Sequence, residues 1–206
     1  MVVDDEPDVV DLITLMLESQ GYDVIPAYGG NECLEKLKHE TPDLILLDLI
    51  MPDIDGWGVL DRIRKVERLN SVFVIILTAK QLTAEVVQKK ARYITEYLVK
   101  PVTKGGLISA IENVVSYSRE LNVFISDAKR SNVDQAMINR YIELDRQVGT
   151  YKRLCTSLIQ TFTRKKLEAD GSAKNTMDSI NQLISLRERG LAKLHAEIEK
   201  QIKADE

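Results

Sequence analysis

Cysteine is nearly missing from this 206-residue chain. Cys33 and Cys155 are its only two, far apart and without metal-type spacing. The expectation is a reducing compartment with free, packed thiols. No apolar run approaches the roughly 18 residues of a membrane span, and no signal peptide is visible. That points away from the membrane and to the cytoplasm. A large positive charge is lacking too. There are 28 Lys and Arg against 32 Asp and Glu, a formal net of −4, which argues against general nucleic-acid affinity. Residues 119–206 hold no nucleotide-binding Gly-rich loop, so autonomous kinase activity is not expected.

The average charge hides a division. Residues 1–118 carry 12 Lys and Arg against 19 Asp and Glu, whereas residues 119–206 carry 16 against 13. An acidic half is followed by a mildly basic one, and the hydrophobic patterning changes with it.

The first half alternates between short apolar runs and helical stripes. Expected strands are 2–3, 22–26, 44–47, 72–77 and 96–99. Expected helices are 8–19, ending at Gly21, then 31–40, 58–68, 83–92 and 104–120. Five βα units with mostly continuous apolar strands imply a parallel sheet covered on both faces. Right-handed crossovers favour the flavodoxin-like (βα)5 doubly wound order 2-1-3-4-5. Only three residues precede Asp4, so the first strand is expected to be short.

Chemistry-bearing residues fall just past these strands. Asp48 follows Leu44 to Leu47, Asp4 and Asp5 follow Val2-Val3, Thr78 follows VFVIIL, and Lys100 precedes Pro101. In an open α/β sheet that edge is where ligands bind. The favoured order sets the first and third strands side by side, so Asp4, Asp5 and Asp48 would converge. Three clustered carboxylates repel one another unless a cation joins them, and Mg²⁺ is the natural guest for hard oxygen ligands. With Thr78 and Lys100 facing the same pocket, the set suits phosphoryl transfer. Blander readings exist for each residue. Asp4-Asp5 could complement a helix N-terminus before Pro7, Thr78 could cap a helix, and Tyr97 could be strand packing. The presence of all of them in order favours the functional reading.

VVDDE (2–6), LLDLIMPDIDG (46–56), LTAK (77–80) and YLVKP (97–101) together resemble the receiver domain of two-component response regulators, over roughly residues 1–118. The resemblance implies that Asp48 is the phosphoacceptor. It implies that Asp5 binds Mg²⁺ directly, Asp4 helps through water, and the backbone carbonyl of Ile50 is a further ligand. Thr78 would hydrogen-bond the phosphoryl group, Lys100 would pair with it, and Tyr97 would swing inward as Thr78 moves. A histidine kinase or phosphotransfer protein is the implied donor. The expected molecule is a switch that assists its own phosphorylation and dephosphorylation, not a turnover enzyme. Two side chains depart from common receivers: Ile50 is apolar, and Lys80 adds a cation near the mouth. Both are expected to alter the lifetime of the phosphoryl group. The segment 91–95 also lacks the Gly-Ala turn common before the fifth strand.

Residues 121–131 are expected to be a polar junction between a receiver at 1–120 and a helical region at 132–206. From Met137 an a/d series runs through Tyr141, Leu144, Val148, Tyr151, Cys155, Leu158 and Phe162, alternating steps of four and three. That is the roughly 3.5-residue repeat of a coiled coil. The run 169–172 breaks it. A second series follows at Met177, Ile180, Ile184, Arg187, Leu191, Leu194 and Ile198, with Arg187 its weak member. An antiparallel helical hairpin is expected. Ile138, Ile142, Leu154, Ile159, Leu183 and Leu186 widen its apolar faces, so homodimerisation or docking on a partner protein is expected. The alternative output is a DNA-binding transcriptional regulator. Against it stand the modest charge and the lack of a short helix-turn-helix pattern, and Arg164-Lys165-Lys166 reads as a solvated helix end. His195 lies on a helix, as a phosphoaccepting histidine would, but its neighbours form no phosphotransfer motif.

Overall fold

The structure, a computed structural model, describes residues 1–79, 90, 93–161 and 171–204, with the backbone alone at 153–161, 171–177 and 180. The described residues divide into two compact units. One lies within Met1–Gln81 and Tyr93–Ile111, the other within Leu82–Arg92 and Glu112–Glu206.

The first unit is built on a five-stranded parallel sheet of order β2-β1-β3-β4-β5, the flavodoxin-like order expected from the sequence. Its strands are β1 (Val2–Val3), β2 (Pro26–Ala27), β3 (Leu44–Leu47), β4 (Phe73–Thr78) and β5 (Glu96–Val99). The helices are α1 (Pro7–Glu18), α2 (Gly30–Lys36) and α3 (Gly56–Ile63), with α4 (Lys104–Arg130) beginning after β5. Ile45, Leu46, Leu47, Ile75 and Ile76 on β3 and β4 are fully buried. Side chains of a strand point alternately to its two faces, so both faces of the sheet centre are covered. Each such side chain contributes about 1.5–3 kcal/mol by leaving water.

Local chemistry sets the helix ends. Pro7 starts α1 with its φ already helical, and Gly21 at φ 83° turns the chain after it. The Asp55 carboxylate caps α3 by accepting from the Gly58 amide at 2.7 Å. Three boundaries differ from expectation. The second strand pairs at Pro26 and Ala27, not along 22–25, because β1 offers only Val2 and Val3 as partners. An edge strand tolerates the missing N–H of Pro26. The second helix, expected to Glu40, ends at Lys36 and passes into a turn. The third helix, expected to Arg68, ends at Ile63 and gives way to a 3-10 turn at Glu67–Leu69. There the Arg64 guanidinium donates to the carbonyls of Leu69 at 3.1 Å and Val72 at 3.0 Å, holding the chain out of helix. The helix expected at 83–92 lies outside the described residues, apart from Lys90.

The second unit corrects the expected junction. Of residues 121–131, expected to be a polar junction, 121–130 are helical, because α4 continues to Arg130. Leu121, Phe124, Ile125 and Ala128 recur at helical spacing and pack into one apolar cluster with Val133, Ile138, Tyr141, Leu194 and Ile198. The polar residues between them obscure that stripe in the sequence. After the turn at Asn132 come α5 (Gln135–Thr161) and α6 (Gly171–Ala204).

These two helices run antiparallel, as the expected hairpin requires. Gln201 donates to the Met137 sulfur at 4.0 Å, the Tyr141 and His195 rings lie 5.7 Å apart, and Lys152 pairs with Glu188 at 2.6 Å. Numbering rises on one helix as it falls on the other. Tyr141, Val148 and Tyr151 of the first heptad series are buried, as are Ile184, Leu194 and Ile198 of the second. The side chains of Cys155, Leu158, Phe162, Met177 and Ile180 lie outside the described ones, as do those of Leu154 and Ile159 and the whole of Arg164-Lys165-Lys166. Arg187, the weak member, lies 5.8 Å from the centroid of the Tyr151 ring, a cation–π contact that offsets part of its cost at an a/d position. Leu186, expected to widen the apolar face, is exposed, and α4 supplies the cover that two helices alone would lack. His195 stacks on Phe124 with centroids 4.6 Å apart, a packing role.

Ile198 is 0% exposed. Ile198→Ala is expected to lower the stability of the helical unit by about 2–5 kcal/mol, read from helical circular dichroism in urea.

Candidate functional site

The parallel register brings the predicted residues to one edge. Val3 lies beside Leu47, Leu47 beside Ile76, and Ile76 beside Tyr97. Asp4 and Asp48 therefore leave their strands at the same level, with Thr78 ending β4 and Lys100 just past β5. The Lys100 amide donates to the Thr78 carbonyl at 2.9 Å, which holds those two residues together. The Lys100–Pro101 peptide is cis.

The carboxylate oxygens of Asp4, Asp5 and Asp48 lie within 4.8 Å of one another. Asp4 is 2% exposed and Asp48 5%, with Asp5 half-buried. Each buried acid is held twice. Asp4 accepts from the Glu6 amide at 3.1 Å through Oδ1 and pairs with Lys100 Nζ at 2.5 Å through Oδ2. Asp48 accepts from the Leu49 amide at 2.7 Å through Oδ1 and lies 3.5 Å from Lys100 Nζ through Oδ2. Burial alone would lower the Lys100 pKa. The hydrogen bond and charge of Asp4, with the charge of Asp48, outweigh it and raise the ammonium above its ordinary value.

Among the described residues, one ammonium, Lys100, pairs with this cluster, and three carboxylates exceed its charge. Hard oxygen donors this close suit a hard divalent cation completed by water, so the donor set fits Mg²⁺. Thr78 is buried at the end of β4, and the Tyr97 ring is buried within β5. The Ile50 side chain is 55% exposed, two residues past Asp48. Lys80 and residues 91–92 lie outside the described residues.

Gly56 is a site residue by proximity. A Cβ there would meet the Asp48 carbonyl oxygen at 2.1 Å and Leu49 Cα at 2.9 Å, so only glycine lets α3 begin against the Asp48 backbone. Its signal in the sequence is its place in the PDIDG run. The Leu49 amide that holds Asp48 left no signal, since every residue has one. Nor did Arg64, because an arginine at a helix end reads as a dipole complement.

Replacing one acid should relieve the cluster. Asp48→Asn is expected to raise stability without metal by about 0.5–2 kcal/mol, a gain that shrinks on adding Mg²⁺. Paired urea titrations check it. The Lys100 pairing should stabilise fully below pH 10.5, the ordinary lysine value, and fade as pH rises through the raised one.

Comparison with known proteins agrees with this geometry. Residues 1–112 match the response regulator receiver domain. Protein PilH of Pseudomonas aeruginosa is 31% identical over 116 residues, 56% of this chain and 96% of its own. The probable transcriptional regulator ycf29 of Porphyra purpurea is 29% identical over 186 residues, 89% of this chain and 86% of its own. Among solved structures, a CheY-like receiver domain protein from Methanospirillum hungatei is 29% identical with a TM-score of 0.52, covering 58% of this chain and 95% of its own. The chain belongs to the response regulator receiver family, a family of signalling switches, through its first 112 residues.

Proposed function

We propose that the chain is a phosphorylation-controlled switch in which Asp48 accepts a phosphoryl group from a histidine kinase or phosphotransfer protein. The observation that carries this is Lys100, whose Nζ lies 3.5 Å from Asp48 at the mouth of a three-carboxylate cluster. A carboxylate oxygen of Asp48 forms the new phosphorus–oxygen bond as the phosphorus–nitrogen bond of the donor histidine breaks. Lys100 neutralises the charge of the incoming group, and the Thr78 hydroxyl donates to one of its oxygens. Asp5 directly, Asp4 through water, Asp48 and the Ile50 carbonyl would hold Mg²⁺, which when bound supplies charge that offsets repulsion between nucleophile and phosphoryl group. The product carries up to about two negative charges on its phosphoryl oxygens, where the free Asp48 carboxylate carries one. Thr78 is drawn toward them, and Tyr97, whose ring is already buried in this structure, repacks within the buried interior and does not enter it from solvent. Such a local pull becomes output by favouring one of two states already present. The receiver is assigned to residues 1–120, and the helices after it are the output, a homodimerising or partner-binding element.

Acetyl phosphate with Mg²⁺ is expected to label the wild type and leave Asp48→Ala unlabelled. Labelling elsewhere in that variant would remove Asp48 as acceptor. Light-scattering mass with beryllofluoride, a phosphoryl mimic, tests the output. A mass that doubles in the wild type alone supports phosphorylation-driven assembly. A dimer in both variants makes the helices a constitutive interface, and a monomer in both assigns them to another protein.

Ile50 places an exposed apolar side chain where attacking water must pass. Ile50→Asn is expected to shorten the phosphoryl lifetime, measured as loss of label, and unchanged decay would remove Ile50 from that role.

A second reading rests on ycf29, whose likeness runs past the receiver and whose name is that of a probable transcriptional regulator. On this reading the C-terminal helices bind DNA. The long α5 and α6 do not form the compact helix pair of a helix-turn-helix. A DNA affinity that falls steeply with salt would favour it.

A further inference from the structure

Arg64 sits where α3 ends, and its guanidinium reaches in two directions. One terminal nitrogen donates to the carbonyls of Leu69 at 3.1 Å, Asn70 at 3.4 Å and Val72 at 3.0 Å, along the connection into β4. The other two nitrogens converge on a single acceptor, the Tyr93 carbonyl, at 3.1 Å from Nε and 2.7 Å from Nη2. Tyr93 stands two residues ahead of Thr95. Thr95 is itself pinned to β4, its amide donating to the Val74 carbonyl at 2.7 Å and its hydroxyl accepting from the Val74 amide at 3.2 Å. From there β5 runs through Tyr97 to Lys100.

The other end of α3 is Gly56, pressed against the backbone of Asp48. A helix of eight residues thus abuts the acceptor at its start and, through Arg64 just after its end, holds the approach to β5. We infer that Arg64 is a positioning residue, which fixes the approach to β5 so that Tyr97 within the strand and Lys100 just past its end keep their places at the pocket. This deepens the phosphoacceptor reading and rests on it.

The chemistry is specific to arginine. A planar fork serves carbonyls on both sides at once, whereas a lysine ammonium is a single point and serves one side at a time. Arg68 provides the control. It also donates to backbone carbonyls, Glu40 at 3.1 Å and Leu37, and to the Thr41 hydroxyl at 2.8 Å, but these bonds lie on the connection into β3.

The test uses the full chain and the variants Arg64→Gln, Arg64→Lys and Arg68→Gln. Beryllofluoride with Mg²⁺ is titrated against the fluorescence of Trp57, the one tryptophan, and melting is followed in parallel. Supporting groups behind a site typically cost about 10- to 100-fold when removed. Arg64→Gln is expected to raise the half-saturating concentration by that order, with Arg64→Lys restoring only part. Arg68→Gln should lower the melting point without moving half-saturation. Equal losses of melting temperature with unchanged half-saturation in Arg64→Gln would overturn the inference. Amide NMR separates the two claims. Shifts in Arg64→Gln that run from Tyr93 through β5 to Lys100, and are absent in Arg68→Gln, support positioning even if Asp48→Ala binds beryllofluoride as well as wild type, which would sink the acceptor reading alone. Shifts confined to Arg64 and Tyr93, with Lys100 unmoved, count against positioning whatever the acceptor is.

Discussion

Three carboxylates converge at the carboxyl edge of the sheet, and among the described residues Lys100 is the ammonium paired with two of them, Asp4 and Asp48. Charge buried in a medium of low dielectric is costly unless paired and hydrogen-bonded. Asp4 and Asp48 are therefore each tied to a backbone amide on one oxygen and directed at Lys100 with the other. The balance remains negative. The site is poised for positive charge, and binding of a cation or of a cation with a phosphoryl group would be set against stored repulsion. A protein selected for stability alone would not keep this cluster, and its retention is what a switch needs.

The sheet supplies the precision. Parallel strands in register deliver carboxylates, a hydroxyl and an ammonium up to 96 positions apart in sequence to a common level. The strands β3 and β4, buried past their first residues Leu44 and Phe73, set Asp48 and Thr78. The outer positions are set less by burial than by hydrogen bonds, with Lys100 held through its amide to Thr78. At the approach to β5 the Arg64 guanidinium bonds the Tyr93 carbonyl and the Thr95 hydroxyl bonds the Val74 amide. An edge strand has a neighbour on one side only, and its register must be secured by other means.

The helical unit obeys a different rule. Its interior is assembled from long amphipathic faces, and three helices, not two, contribute to the described cluster. A polar layer interrupts the apolar one. Thr150 and Gln147 are buried on α5, and Arg187 lies over Tyr151. Such layers lower stability while distinguishing one alignment of the helices from its slipped neighbours. Phe124, Tyr141 and His195 form an aromatic group below it, which gives His195 a packing partner and removes the need to invoke phosphoryl chemistry for it.

Hydrophobic runs of period two and stripes of period 3.6 are local properties, so the sequence by itself determined the βα alternation, the strand order that follows from right-handed crossovers, and the strand-end placement of Asp4, Asp5, Asp48, Thr78 and Lys100. The heptad series likewise determined an antiparallel pair of long helices. What only the tertiary structure decided depends on atoms distant in sequence. It showed that Lys100 pairs more closely with Asp4 than with Asp48, that Gly56 must lack a Cβ because the Asp48 carbonyl occupies its place, and that Arg64 ends α3 by reaching Tyr93. It also showed that residues 122–130 continue a helix. Their polar residues describe a linker when read alone, and only the cluster formed with Tyr141 and Ile198 reveals that Phe124, Ile125 and Ala128 have an apolar surface to cover.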